Sequence, residues 1–98
     1  MDIIKAIRMA IDTGKVALGA KESLRYALNG QGRLFIISNN CPKDVKADLE
    51  YYAKLSELKL SVFDGTNKDL AEACGKPFNI SVITVLEPGD SDILNVVQ

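Results

Sequence analysis

Histidine is absent from this chain of 98 residues. That removes the side chain most often used as a general base and as a metal ligand near neutral pH. Cysteine is scarce as well. Cys41 and Cys74 lie far apart, and their spacing matches no zinc-binding pattern. Two free thiols in a reducing cytoplasm are the plain expectation. Long apolar runs are also missing. The longest are Leu34–Ile37 and Val82–Leu86, well short of the roughly 20 residues that a membrane-spanning helix needs. The N-terminal stretch interleaves Asp2 and Asp12 with periodic apolar positions, which does not fit a signal peptide. No membrane association is expected.

An excess of positive charge is lacking too. Lys and Arg number 12, Asp and Glu 13, for a net charge of −1. A protein that coats nucleic acid indiscriminately needs many cations, because that affinity scales with phosphates neutralised. The distribution is more informative than the sum. Residues 1–33 hold six cations and three anions, whereas residues 34–98 hold six cations and ten anions. Glu87, Asp90 and Asp92 near the C-terminus have no cation beside them. An anionic partner should therefore meet a local patch.

What the chain does have is an ordinary globular composition, 47% apolar and 26% charged. Its length suits a single domain spanning residues 1–98. Asp2 can cap a first helix carrying Ile3, Ile4, Ile7 and Ile11, ended by Gly14. Val16–Leu18 is a short strand. Gly19 opens a second helix with Ala20, Leu24, Ala27 and Leu28 on one face. The continuous apolar run Leu34–Ser38 suits a strand covered on both faces. Asn39 to Pro42 is a turn, and Pro42 fits the start of a third helix that carries Val45, Leu49, Tyr52 and Ala53 to about Glu57. Leu60–Phe63 is a strand. Thr66 and Asp69 form a capping-box pattern for a fourth helix that Gly75 ends. A polar loop leads to the strand Ile80–Leu86, and Asp90–Val97 closes with a short helix. Helices alternating with short strands imply a layered α/β/α sandwich.

Catalytic patterns are hard to find. No acid–base pair shares an obvious pocket, and Asp44, Asp48 and Glu50 read as a solvated helix face. Gly14–Gly19 lacks the Gly-Lys-Ser/Thr ending of a phosphate-binding loop, and no dinucleotide fingerprint is present. Cys41 precedes a helix whose dipole would lower its pKa, but it has no base. No catalytic residue, metal or cofactor is expected.

Three turns carry a different chemistry. Leu18 to Ser23 places Gly19 before a helix, so backbone can approach closely and free N–H groups can meet phosphate. Lys21 adds a charge for a phosphate or a guanine edge. The plainer alternative is a turn glycine and a surface lysine. In the turn Ser38 to Pro42, Asn39 and Asn40 offer amides to base edges, or simply cap a helix. In the loop Gly75 to Ile80, Phe78 is either a buried plug or a platform for an unstacked base. Helix-end phosphates, amides, one cation and a stacking surface are together the means by which irregular RNA is read.

Several blocks carry a resemblance. Residues 16–23 (VALGAKES), 36–42 (IISNNCP), 50–55 (EYYAKL), 65–70 (GTNKDL), 73–78 (ACGKPF) and 87–93 (EPGDSDI) resemble the ribosomal protein thirty-e family, in the archaeal form more than the eukaryotic one. They occur in that family's order and spacing over nearly the whole chain. The resemblance implies a three-layer α/β/α sandwich with a four-stranded mixed sheet. It also implies binding to a kink-turn, an RNA internal loop with tandem sheared G·A pairs, in ribosomal RNA of the large subunit. Carried across, it points to Gly19, Ala20, Lys21, Asn39, Asn40, Phe78, Asn79 and Ile80 as the RNA-reading residues. Val45 and Asn79 stand where some members have basic residues, so the phosphate grip differs there. The implied protein is a non-enzymatic cytoplasmic ribosome component, monomeric when free, with neighbouring ribosomal proteins as further partners. Two other roles fit the same features: a kink-turn-binding subunit of a non-ribosomal particle, and a protein-interaction module without RNA.

Overall fold

A computed structural model describes residues 2–96. The Asp2 carboxylate accepts a hydrogen bond from the Ile4 N–H at 2.9 Å and starts α1 (Ile3–Thr13). Its buried stripe is Ala6, Ile7 and Ala10. The remaining elements follow in alternation: β1 (Lys15–Leu18), α2 (Ala20–Leu28), β2 (Leu34–Ile37), α3 (Lys43–Leu55), β3 (Lys59–Val62), α4 (Asn67–Cys74), β4 (Val82–Glu87) and α5 (Ile93–Val96). The strand order is β1-β4-β2-β3. β4 is antiparallel to both its neighbours, and β2 pairs with β3 in parallel. The sheet is therefore mixed, as the resemblance implied.

Strand periodicity sends alternate residues of β2 to opposite faces. Leu34 and Ile36 pack with α1, α4 and α5, against Ile7, Leu70 and Ile93. Phe35 and Ile37 pack with α2 and α3, against Ala27 and Leu49. All four β2 side chains are fully buried. That is why Leu34–Ile37 reads as an unbroken apolar run: helices cover both faces of a central strand, and the architecture is a three-layer α/β/α sandwich.

Several boundaries differ from expectation. β3 ends at Val62, because Phe63 turns into the α1/α4 core. β4 starts at Val82, two positions after Ile80, which occupies the core ahead of the ladder. α3 stops at Leu55, and Glu57 adopts φ 57°, a left-handed conformation that cannot continue a helix. α5 begins at Ile93, three residues past Asp90, and Val97 lies outside the described residues. Leu28, expected on the buried face of α2, is 63% exposed. Ser23 and Ala27 are the fully buried members of that helix, and the terminal residue falls outside the stripe. The capping box of α4 is present: the Thr66 hydroxyl accepts from the Asp69 N–H, and the Asp69 carboxylate accepts from the Thr66 N–H.

Candidate nucleic-acid interface

The topology brings the interesting turns to one end of the sheet. β1, β2 and β3 run the same way and finish at that end, where β4 begins. In sheet order, the residues found there are Gly19, then Ile80 and Ser81, then Ser38 to Asn40, then Phe63 to Asn67. Backbone hydrogen bonds tie each turn to the next. The Gly19 N–H donates to the Val82 carbonyl, Ser38 N–H to Ser81, and Asn39 N–H to Gly65, each at 2.8 Å. The Ile80 N–H donates to the Asn67 carbonyl at 3.1 Å.

One side-chain contact completes the assembly. The Asn40 amide oxygen accepts from the Asn67 N–H at 2.8 Å, and its amide nitrogen donates to the Asn67 side-chain oxygen at 3.2 Å. Asn67 in turn accepts from Ile80 through its backbone. A single residue thus links the turn before α3, the start of α4 and the loop before β4. Sequence reading missed Asn67, because a pairing between residues this distant leaves no local periodicity. The only local signal was its place beside the capping box.

Helix ends converge as well. α2 and α3 both start at this end, with Gly19 and Pro42 as their N-terminal caps, and neither cap supplies a side-chain hydrogen bond. Their first-turn N–H groups have no intrahelical acceptor and carry the positive end of the dipole. α4 differs, since its N-terminus is closed by Thr66 and Asp69. Two open helix N-termini side by side suit a chain of phosphates.

The individual residues divide as follows. Gly19 has φ 105° and ψ 156°, a region essentially restricted to glycine. A side chain built there would find nothing within 4 Å, so the space above it is open to a ligand. Ala20 is half-buried and packs against the α2/α3 core. Lys21 is exposed, and the neighbouring Glu22 is engaged by Arg25. Asn39 and Asn79 are exposed. Phe78 is 55% exposed, so it is not a buried plug. Ile80 requires a correction. Its side chain is 2% exposed in the core, and its N–H is held by Asn67. It shapes the loop from beneath and cannot present its side chain to RNA.

Cys41 is the second correction. The thiol sits at the start of α3 but is buried, and this burial raises its pKa despite the pull of Lys46. The dipole effect expected from sequence is outweighed by desolvation. Burial pushes Cys74 further, to about 11. Among the described residues no group of three or more Cys, Asp or Glu could hold a metal ion, and no helix is long and apolar enough to cross a membrane.

Backbone-linked turns and uncapped helix N-termini at one end of the sheet make this a small α/β module with a surface suited to binding anions. Sequence comparison places it more closely. Residues 1–95 match the ribosomal protein L7Ae/L30e/S12e/Gadd45 family, and the chain belongs to that family. It is 51% identical over 96 residues to the large ribosomal subunit protein eL30 of Methanococcus maripaludis, covering 98% of this chain and 91% of the relative. To the protein of the same name from Methanosphaera stadtmanae it is 49% identical, covering 98% of each. To that of Methanocaldococcus jannaschii it is 43% identical, covering all of this chain and 89% of the relative. These relatives are named as ribosomal proteins.

Proposed function

We propose that this chain is a protein of the large ribosomal subunit, acting as one domain in the cytoplasm, that binds and stabilises a kink-turn in ribosomal RNA. The observation that carries this reading is the tying of three turns into one surface through Asn40 and Asn67, with the Gly19 turn held beside them by Val82. Backbone at Gly19 and the open starts of α2 and α3 take phosphate oxygens. Lys21 supplies the charge, and Asn39 and Asn40 lie where base edges pass. Phe78 and Asn79 form the platform for an unstacked base.

The mechanism is selection. Free RNA of this type exchanges between extended and bent forms, and binding only the bent form shifts the population toward it. A surface already held by hydrogen bonds loses little conformational entropy on binding. The free protein is a monomer, and neighbouring ribosomal proteins meet its remaining faces. The reading as a non-ribosomal particle subunit is disfavoured by the names of the relatives.

Ultraviolet cross-linking in cell extract, followed by sequencing of the bound RNA and sedimentation, tests the assignment. The expected result is cross-links through Phe78 to one internal loop of large-subunit RNA, with the protein sedimenting with that subunit. Cross-links confined to small guide RNAs would reassign it to another particle. No cross-links to any RNA would favour a protein-interaction module.

A further inference from the structure

A groove of about 250 Å³ lies on the outer side of α4, beyond the four turns described above. One wall is the helix face formed by Lys68, Ala71 and Glu72, which stand three and four positions apart. The other wall is the loop bearing Lys76, Phe78 and Asn79. The chain reverses at Gly75, whose φ of 72° allows the Lys76 N–H to donate back to the Ala71 carbonyl at 3.0 Å. A Cβ at Gly75 would meet the Arg8 guanidinium at 2.6 Å, so this α1 side chain reaches over the reversal. The backbone bond from Lys76 to Ala71 joins the two walls of the groove.

Its charge is distinctive for a chain that is net negative. Lys68 and Lys76 are exposed on opposite walls, and neither has an ion-pair or hydrogen-bond partner from another side chain among the described residues. Glu72 is the one anion lining the groove. The volume falls below the roughly 300–1,000 Å³ of enclosed small-molecule sites, which suits a passing strand better than a trapped ligand. Phe78 belongs to both surfaces: it is the aromatic of the proposed RNA site and a wall of this groove. Phe78 thus adjoins a groove with an exposed lysine on each of its two walls.

We infer that this groove extends the RNA footprint, with Lys68 and Lys76 gripping phosphates of the strand that continues past the base on Phe78. The inference rests on the proposed kink-turn function. It predicts a contact that depends on the flanking strand and not on the kink.

The test uses the full chain and two RNAs: a kink-turn with long flanking strands, and the same kink-turn trimmed back on both sides. Affinities are measured over a salt series for the native protein, Lys68→Gln, Lys76→Gln, the double variant and Lys21→Gln. Both groove lysines are exposed, and a melting curve for each variant checks that it folds. The expected result is that each groove variant binds the long RNA several-fold more weakly. The log–log salt slope should shrink by about 0.7–0.9 for each lysine removed. Binding of the trimmed RNA should be unchanged, and Lys68→Arg should restore the long-RNA affinity. Lys21→Gln should weaken both RNAs. Equal binding of the long RNA by native and groove variants, with Lys21→Gln still impaired, would overturn the groove and leave the kink-turn reading standing. Native protein that binds neither RNA above a plain duplex would overturn both.

Discussion

Phe78→Ala separates a stacking residue from a packing residue, because the two roles cost different quantities. Complete burial of a phenylalanine side chain stabilises a protein by about 1.5–3 kcal/mol. Phe78 is 55% exposed, so less than half of that is available, on the order of 1 kcal/mol. For a domain of this size, 1 kcal/mol moves the melting temperature by about 4–8 °C. A fully buried phenylalanine would instead cost about 3–5 kcal/mol. On the binding side, loss of one base–aromatic stack costs about 1–3 kcal/mol, a drop in affinity of about five- to 150-fold. One purified variant decides between them, with melting followed by circular dichroism and affinity by fluorescence anisotropy on a labelled kink-turn RNA. The expected pattern is a small fall in melting temperature with a large fall in affinity. A fall in melting temperature of roughly 15 °C or more, with native affinity wherever the variant is folded, would refute the reasoning and remove Phe78 from the site.

Asn40→Ala should remove both hydrogen bonds to Asn67, lowering stability by about 1–2 kcal/mol and weakening RNA binding. Asn67→Ala should do the same, and a double-mutant cycle should show clear non-additivity; simple additivity would mean the pair does not act as a unit. The slope of log affinity against log salt should be shallow, on the order of −2 to −4, and a slope near −8 would point to bulk electrostatic coating instead. Gly19→Ala should cost about 1–3 kcal/mol of stability from its positive φ alone, so its binding defect must be read on protein shown to be folded. Cys74 is held protonated by burial, with its pKa raised from 9.0 to about 11. A thiol whose folded pKa exceeds its unfolded value contributes stability below about pH 9, and that contribution is lost as pH rises toward 11. The stability advantage of the native protein over Cys74→Ala should therefore shrink across that window in urea melts. A constant difference would show that the thiol is not desolvated.

Much of the fold was legible because its signals are local. The unbroken run Leu34–Ile37 announced a strand covered on both sides, and Thr66 with Asp69 announced a helix start three residues apart. The turns at Gly19, Asn40 and Phe78 were marked by residue chemistry before the topology placed them at one end of the sheet. What failed to show was long-range. Asn67 gains its place from Asn40, 27 residues away, and from Ile80, neither of which alters its local pattern. Ile80 looked like a surface neighbour of Phe78, yet the chain turns inward two residues before the strand ladder. At Cys41 the sequence displayed the helix dipole but not the burial that outweighs it. Lys68 and Lys76 became a pair only once the reversal at Gly75 closed the groove between them.

The most direct test of the account compares two RNAs that differ only at the tandem G·A pairs, which are sheared in one and replaced by Watson–Crick pairs in the other. Length, charge and flanking helices stay the same, so non-specific attraction cancels. Competitive titration at physiological salt gives the ratio of affinities. Selection of the bent form by the surface at Gly19, Asn40 and Phe78 predicts a preference for the G·A RNA of at least about a hundredfold, on the order of 2.8 kcal/mol. The same RNA should also bend on binding when followed by energy transfer between its ends. Equal affinity for the two RNAs, with no change in end-to-end distance, would contradict the central claim.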